Sequence, residues 1–149
     1  MDKSKYLVLD VETNGFSCIT DDLLSISIYK PDTNEFYDRY LPLELNDDVY
    51  TTKINGIKKE KLINKKPLTQ VEIDDLQERF DIKNRIILIY GSIDEKFIRK
   101  YFARHKLVGF DDWTFFNFKR NIISSRFSEG NITKDNLCKL YVNIHQFQI

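Results

Sequence analysis

The chain of 149 residues contains few of the residues that interrupt or cross-link a fold, with three prolines, five glycines, two cysteines and two histidines. So little proline and glycine argues against a disordered or linker-rich chain. Cys18 and Cys138 do not form a CxxC pair, so a closed zinc site of cysteine and histidine ligands is not expected. No apolar run approaches the roughly 20 residues of a membrane helix, and we find no signal peptide. We therefore expect a cytoplasmic protein that does not enter a membrane.

The composition is that of a globular protein, with 42% hydrophobic and 31% charged residues, and the length fits one domain over residues 1–149. The formal net charge is zero, but residues 1–80 hold 11 of the 23 basic and 16 of the 23 acidic residues. An acidic half and a basic half would suit metal ions together with a phosphate-bearing ligand. Uneven surface charge without any ligand explains the same distribution equally well.

Several segments have the hydrophobic patterns of strands. YLVLD (6–10) and RIILIY (85–90) are continuous apolar runs, which predict two strands buried on both faces and lying side by side at the centre of a sheet. LLSISIYK (23–30) alternates and predicts a half-buried strand that forms a hairpin with FYDRYL (36–41). WTFFNF (113–118) fits a strand or the start of a helix.

Three further segments have helical spacing. Apolar residues from Leu68 through Val71 to Phe80 predict one helix. A last helix, capped by Thr133 or Asp135, is predicted to contain Leu137, Leu140 and Tyr141. After the second buried strand, Gly91 marks a turn, and Ser92 and Glu95 have the spacing of a capping box; the helix that follows presents Phe97, Ile98, Tyr101 and Phe102 on one face. This order of elements predicts an α/β domain with a mixed sheet and helices on its faces.

Carboxylates follow both buried strands. Asp10 ends the first strand with Glu12 two positions later, and Asp94 lies in the first helical turn after the second. The carboxyl ends of central strands are where ligands bind in open α/β sheets. Three clustered carboxylates raise one another's pKa unless a hard cation such as magnesium or manganese lies between them. A dipole-stabilised acid at Asp94 and a surface turn at D-x-E are the alternatives for each part alone.

Four segments carry a resemblance to a known family. VLDVETNG (8–15) has the form D-x-E-T-x-G after a hydrophobic strand and resembles the first motif of the DEDD 3′–5′ exonucleases, the proofreading-type family on the ribonuclease H-like fold. INGIKKEKL (54–62) is similar to the segment that follows it, and YGSIDEKFI (90–98) is similar to the second motif without its usual upstream Asn. DNLCKLY (135–141) is similar to the helix before the third motif. The resemblance implies a mixed sheet of about five strands with helices on both faces.

The resemblance also implies the chemistry. We expect a metal-dependent 3′–5′ exonuclease that hydrolyses phosphodiester bonds at single-stranded DNA or RNA 3′ ends with two Mg²⁺ or Mn²⁺ ions. The expected ligands of the ions are Asp10, Glu12 and Asp94. The expected substrate-binding residues are Thr13, Gly15, Phe16, Ile54 and Asn55. Phe16 would stack on a terminal base; a core position at the strand end is its alternative.

The C-terminal end departs from the family pattern. The family has a third-motif His-x(4)-Asp element, but no Asp follows His145 in this sequence. His145 is a candidate general base, and a surface histidine near the terminus is the alternative. We expect that the family's last helix is lost or that this chain is a truncated version, that one ion binds if the fourth acid is missing, and that a partner or second copy covers the apolar face. The alternative function is a catalytically impaired nucleic-acid-binding or protein-interaction module that keeps the fold.

Two other features have two interpretations each. The segment KKEKLINKK (58–66) contains five lysines around one Glu, and it either follows a phosphate backbone or is a solvated lysine-rich surface. The aromatic residues of 113–118 are either core or a stacking platform, with core preferred. His105 is expected to be exposed beyond the apolar face of its helix.

Overall fold

The computed structural model describes residues 2–119. The predicted last helix, Cys138 and His145 lie outside these residues. The described chain forms one five-stranded sheet in the order β3-β2-β1-β4-β5. Its strands are β1 (Tyr6–Thr13), β2 (Leu23–Lys30), β3 (Glu35–Tyr40), β4 (Ile86–Ile89) and β5 (Thr114–Asn117).

The sheet is mixed. β1 pairs antiparallel with β2, and β2 pairs antiparallel with β3. β4 lies parallel to β1 on its other side and parallel to β5. The two continuous apolar runs are therefore adjacent central strands, as predicted, and they end at the same edge of the sheet.

Four helices lie in the connections between the strands: α1 (Thr52–Asn55), α2 (Lys59–Leu62) and α3 (Gln70–Phe80) between β3 and β4, and α4 (Ile93–Arg104) between β4 and β5. Three 3-10 turns accompany them, at Lys3–Lys5, Ile82–Asn84 and Phe110–Asp112. Within residues 2–119, no helix is long and apolar enough to cross a bilayer.

β1 separates two apolar clusters because successive strand residues point to opposite faces. Leu7, Leu9 and Val11 lie in the main core, which includes the buried residues of α3 and α4. Tyr6 and Val8 lie in a second cluster on the opposite face. Asp10 and Glu12 continue the spacing of Tyr6 and Val8, so they lie on the face opposite to α3 and α4.

The prediction that β2 is half-buried is wrong. Ile26 and Ile28 pack in the main core, but Ser25 and Ser27 on the other face are buried as well. The hydroxyl of Ser27 donates a hydrogen bond to Oδ1 of Asp38 on β3 at 2.5 Å. The alternation correctly indicated one apolar and one polar face, but the polar face is covered by protein and not by solvent.

Two helix predictions also need correction. Val71 is 78% exposed, and the buried face of α3 consists of Ile73, Leu76 and Phe80. The start of α3 is capped by Thr69, whose side chain accepts from the amide of Glu72 at 3.2 Å. The capping box predicted at Ser92 is not formed, since its side chain makes no capping hydrogen bond to α4.

The predicted apolar face of α4 is confirmed, because Phe97, Ile98, Tyr101 and Phe102 are all buried. Within 113–118, Thr114–Asn117 form strand β5, and Trp113 and Phe118 are buried on either side of it, which supports the core interpretation of these aromatic residues. His105 is not free at the surface. Its ring stacks on Tyr101 with centroids 4.2 Å apart, and its Nε2 lies 2.7 Å from Oε2 of Glu44.

Candidate active site

Asp10 and Glu12 lie near the carboxyl end of β1, on the face that is opposite to the long helices. Asp10 is buried and Glu12 is partly buried. In the antiparallel register with β2, Asp10 lies opposite Ser27 and Glu12 lies opposite Ser25. Directly opposed side chains have Cβ atoms about 4.5–5.5 Å apart, so two serines are the cross-strand neighbours of the two acids.

Asp94 reaches the same edge from β4. The chain leaves β4 through Gly91, whose φ of 101° favours glycine and whose amide donates to Oδ1 of Asn117 at 2.9 Å. α4 begins at Ile93, and Asp94 is buried in its first turn. The amide of Val11 donates to Oδ2 of Asp94 at 3.1 Å. This bond connects the start of α4 to the strand residue between Asp10 and Glu12.

The carboxylates interact through Asp10. Burial raises the pKa of Glu12 to about 7, and the nearby Asp10 carboxylate adds to the increase. Burial also raises the pKa of Asp94 to about 8, with Asp10 again the second cause. Both directions agree with the expectation for acids that are brought together in a partly desolvated site.

The described residues contain no group of three or more His, Cys, Asp or Glu side chains arranged closely enough to hold a metal ion. Asp10 interacts with Glu12 and with Asp94, but the three acids do not form one closed ligand set. The donor chemistry nevertheless fits a hard divalent cation, since every donor is a carboxylate oxygen. Burying these carboxylates costs free energy, and this cost raises the pKa of Glu12 and of Asp94. A bound cation would offset the cost.

The turn after β1 presents Phe16 to solvent. The hydroxyl of Thr13 donates to the carbonyl of Gly15 at 2.7 Å. A Cβ atom at Gly15 would lie 2.2 Å from Oδ2 of Asp21, so a side chain at this position would collide with the neighbouring loop. Phe16 is 85% exposed. A core position for Phe16 is therefore excluded, and its ring is available to a ligand.

Helix α1 is held against the end of β1. The hydroxyl of Thr51 donates to the carbonyl of Thr13 at 3.0 Å, and Nδ2 of Asn55 donates to Oγ1 of Thr51 at 2.9 Å. Nδ2 of Asn55 also lies 3.5 Å from the carbonyl of Thr13. Ile54, the neighbour of Asn55, is 82% exposed. The structure thus places helix α1, with Ile54 and Asn55, beside the D-x-E-T turn, and their binding of substrate stays a prediction.

Sequence reasoning missed Asn14, which is only 3% exposed. Its Nδ2 donates to the carbonyl of Asp48 at 2.8 Å and to Oδ1 of Asn46 at 3.0 Å. Its Oδ1 accepts from the amide of Tyr50 at 2.7 Å. Asn14 therefore joins the motif turn to the loop that leads into α1. Its partners are more than 30 residues away in sequence, so no local pattern indicates them.

Asp22 was also missed. Its carboxylate is 1% exposed and accepts hydrogen bonds from the amides of Glu44, Leu45 and Asn46, with donor–acceptor distances of 2.8 to 3.1 Å. Asp22 precedes β2, so this cluster fixes the loop after β3 next to the end of β1. In the sequence, Asp22 looks like an ordinary turn residue.

The fold is ribonuclease H-like, as the order and directions of the five strands and the comparison with solved structures show. Exonuclease I in its apo form superposes with a TM-score of 0.64 at 17% identity, over 85% of this chain and 33% of that chain. The metal-free form of an E. coli exonuclease I–single-stranded DNA complex gives a TM-score of 0.65 at 16% identity, over 96% of this chain and 38% of that chain.

Sequence relatives point the same way. The chain is 29% identical over 111 residues to the PolC-type DNA polymerase III of Streptococcus pneumoniae strain D39 and 30% identical over 112 residues to that of Streptococcus mutans. Each alignment covers 72% of this chain, which spans 7% of the length of these relatives. No family model matches the chain. The resemblance to DEDD-type exonucleases that the motifs indicated is confirmed, together with the predicted fold.

Proposed function

We propose that residues 1–149 form a single metal-dependent 3′–5′ exonuclease domain that hydrolyses phosphodiester bonds at the 3′ ends of single-stranded DNA or RNA. The observation that carries the proposal is the junction of β1 and α4. There, Asp10 lies on β1 and Asp94 lies in the first turn of α4, which follows the adjacent parallel strand β4, and the Val11 amide donates to the Asp94 carboxylate at 3.1 Å. The similar proteins support it, since they are an exonuclease I and a PolC-type DNA polymerase III.

The acids of this edge would hold the metal. Asp10, Glu12 and Asp94 are the residues that we assign to Mg²⁺ or Mn²⁺. Such ions, when bound, lower the pKa of an attacking water and stabilise the leaving 3′ oxygen. The Val11 amide fixes one oxygen of Asp94, and the Asp94 carboxyl also interacts with Asp10. His145 stays a prediction for the general base.

The substrate would enter along the turn after β1. Phe16, in the turn after β1, and Ile54, in α1, are exposed, and a base stacked on an aromatic ring gains ~1–3 kcal/mol. Thr13 and Gly15 shape the turn through the bond between them, and Asn55 lies against the carbonyl of Thr13. These contacts would hold a terminal nucleotide near Asp10.

The test is the degradation of a 5′-labelled single strand in Mg²⁺ or Mn²⁺, followed on a denaturing gel. We expect the wild type to shorten the strand from its 3′ end, and Asp10→Asn and Asp94→Asn to lose this activity. Asp111→Asn is the matched control, because it removes one exposed carboxylate in a 3-10 turn before β5. Equal activity of Asp10→Asn and wild type would refute the catalytic assignment.

One observation favours the alternative, a catalytically impaired module that binds nucleic acid or protein. Within residues 2–119, the acids interact pairwise and do not form a metal-ligand group of three. This alternative predicts binding of an oligonucleotide without turnover. Calorimetric titration with Mn²⁺ separates the two functions, because two tight sites that disappear in Asp10→Asn would contradict the impaired module.

A further inference from the structure

A cluster of lysines begins in helix α1 and continues after it. Residues 53–66, which we call the basic segment, contain one acid, Glu60, and six exposed lysines: Lys53, Lys58, Lys59, Lys61, Lys65 and Lys66. None of the salt bridges between the described residues includes one of these lysines. The ammonium of Lys61 lies 4.8 Å from the centroid of the Tyr40 ring, and Lys59 acts electrostatically on Asp47. The segment therefore presents a local excess of positive charge.

The basic segment is anchored and not a free loop. Leu62 and Ile57 are buried in a cluster with Leu24 and Val49. The hydroxyl of Thr52 donates to the carbonyl of Ile57 at 2.6 Å, and this bond closes the turn between α1 and α2. The backbone that carries the lysines is thus fixed, while their side chains extend into solvent.

The anchoring also places the basic segment beside the candidate site. Asn55 contacts the end of β1 through Thr51 and Thr13. Lys58 follows Asn55 by three residues, so its Cα lies within about 11 Å of the Asn55 Cα at the maximal extension of the chain. A strand whose 3′ end reached Asp10 would have its next phosphates within reach of long lysine side chains.

We infer that the basic segment binds the phosphate backbone of the single strand on the 5′ side of its terminal nucleotide. This inference rests on the proposed function, since the proposed function gives the strand its place at the end of β1. Six lysines on a fixed backbone, without salt-bridge partners among the described residues, form a surface that suits successive phosphates. The contacts recognise charge, so DNA and RNA would bind this surface alike.

The chain provides a matched control at the other end of the sheet. Lys3 and Lys5 precede β1, and Lys83 precedes the parallel strand β4, so all three lie at the edge opposite to Asp10. β1 has eight residues and spans about 26 Å. These lysines are exposed like those of the basic segment. Changing all three alters the net charge as much as changing three lysines of the basic segment, and it leaves the basic segment intact.

The experiment measures the binding of a 5′-fluorescein oligothymidylate, and of the matching oligouridylate, of about 15 nucleotides by anisotropy in EDTA. The test variant is Lys53→Gln/Lys58→Gln/Lys59→Gln, and the control is Lys3→Gln/Lys5→Gln/Lys83→Gln. Lys61 is left unchanged because of its contact with the Tyr40 ring. Each phosphate contact contributes about 0.7 to the slope of log K against log salt for single strands, so the test variant should lose about 2 from the slope between about 50 and 200 mM salt.

We expect the control variant to keep the slope of the wild type with both probes. Equal loss of slope in the two variants would overturn the inference, because the overall charge of the protein and not the basic segment would then explain binding. Binding of neither probe by the wild type would also overturn it. The proposed function fails separately, if the wild type degrades no strand in Mg²⁺ or Mn²⁺ while its binding still depends on the basic segment. Asp10-dependent degradation with unchanged slopes in the test variant would refute only this inference.

Discussion

Removing the carboxylate of Asp22 is the clearest test of what holds the loops around the candidate site. It is 1% exposed and accepts from three consecutive backbone amides, those of Glu44, Leu45 and Asn46. Asp22→Ala would remove the acceptor of all three amides at once. A buried donor without a partner costs about 1–3 kcal/mol, but water can enter the space of the deleted side chain. We therefore expect a loss of about 3–5 kcal/mol in the free energy of unfolding.

The assay is urea unfolding, with the midpoint and the slope m determined for each variant. Asp22→Asn keeps one acceptor oxygen but turns an amide group toward the remaining donors, so it should fall between Asp22→Ala and the wild type. Asp47→Ala is the control in the same loop, because Asp47 is exposed and its carboxylate accepts from the Tyr50 hydroxyl. Surface changes of this kind usually stay within about 0.5 kcal/mol. Asp22→Ala with the stability of Asp47→Ala would refute the reasoning.

Three further predictions concern charge and packing. Folding raises the pKa of Glu12 from 4.5 to about 7 and the pKa of Asp94 from 3.8 to about 8. The metal-free protein should therefore lose stability as the pH rises from about 4 to about 8, which thermal melting would measure. Mn²⁺ should stabilise the protein more at the upper end of this pH range. Asp32→Ala should cost about 3–5 kcal/mol in urea unfolding and more than Arg85→Met, because Arg85 is buried and would lose its bidentate partner at 2.7 and 3.0 Å; equal costs would contradict this. Ser25→Val should fold but lower metal-dependent degradation, since the larger side chain lies opposite Glu12, and undiminished turnover would show that this space is not used.

The central strands were predictable because burial on both faces leaves a simple mark. A continuous apolar run such as 6–10 or 85–90 has few other uses in a chain of this length, and two such runs have to lie inside one sheet. The register that brings Asp10 and Asp94 to one edge follows from their parallel pairing, which the crossover through α3 makes possible. For this reason the acids could be paired from the sequence alone.

The serines of β2 show where this reasoning stops. Alternation separates the two faces of a strand, but it does not show what covers the polar face. Ser25 and Ser27 look like solvent-exposed residues, whereas each is buried opposite an acid of β1. Small side chains at these two positions limit the apolar surface next to Asp10 and Glu12. A polar face in the middle of a buried sheet is therefore better explained by the neighbouring acids than by water.

The loop network around Asn14 and Asp22 has a different origin and a wider consequence. Its bonds join residues that are 22 to 36 positions apart, so no helical or strand period can reveal them. Their donors are mostly backbone amides, which every residue except proline has, and the partner sequence therefore carries little information. The network nevertheless fixes α1, and with it the basic segment, against the end of the strand that carries Asp10. Removing the side-chain amide of Asn14 should consequently weaken both the binding of the nucleic-acid strand and the stability of the fold. Removing the carboxylate of Asp10 should leave the binding in EDTA and the loop geometry intact.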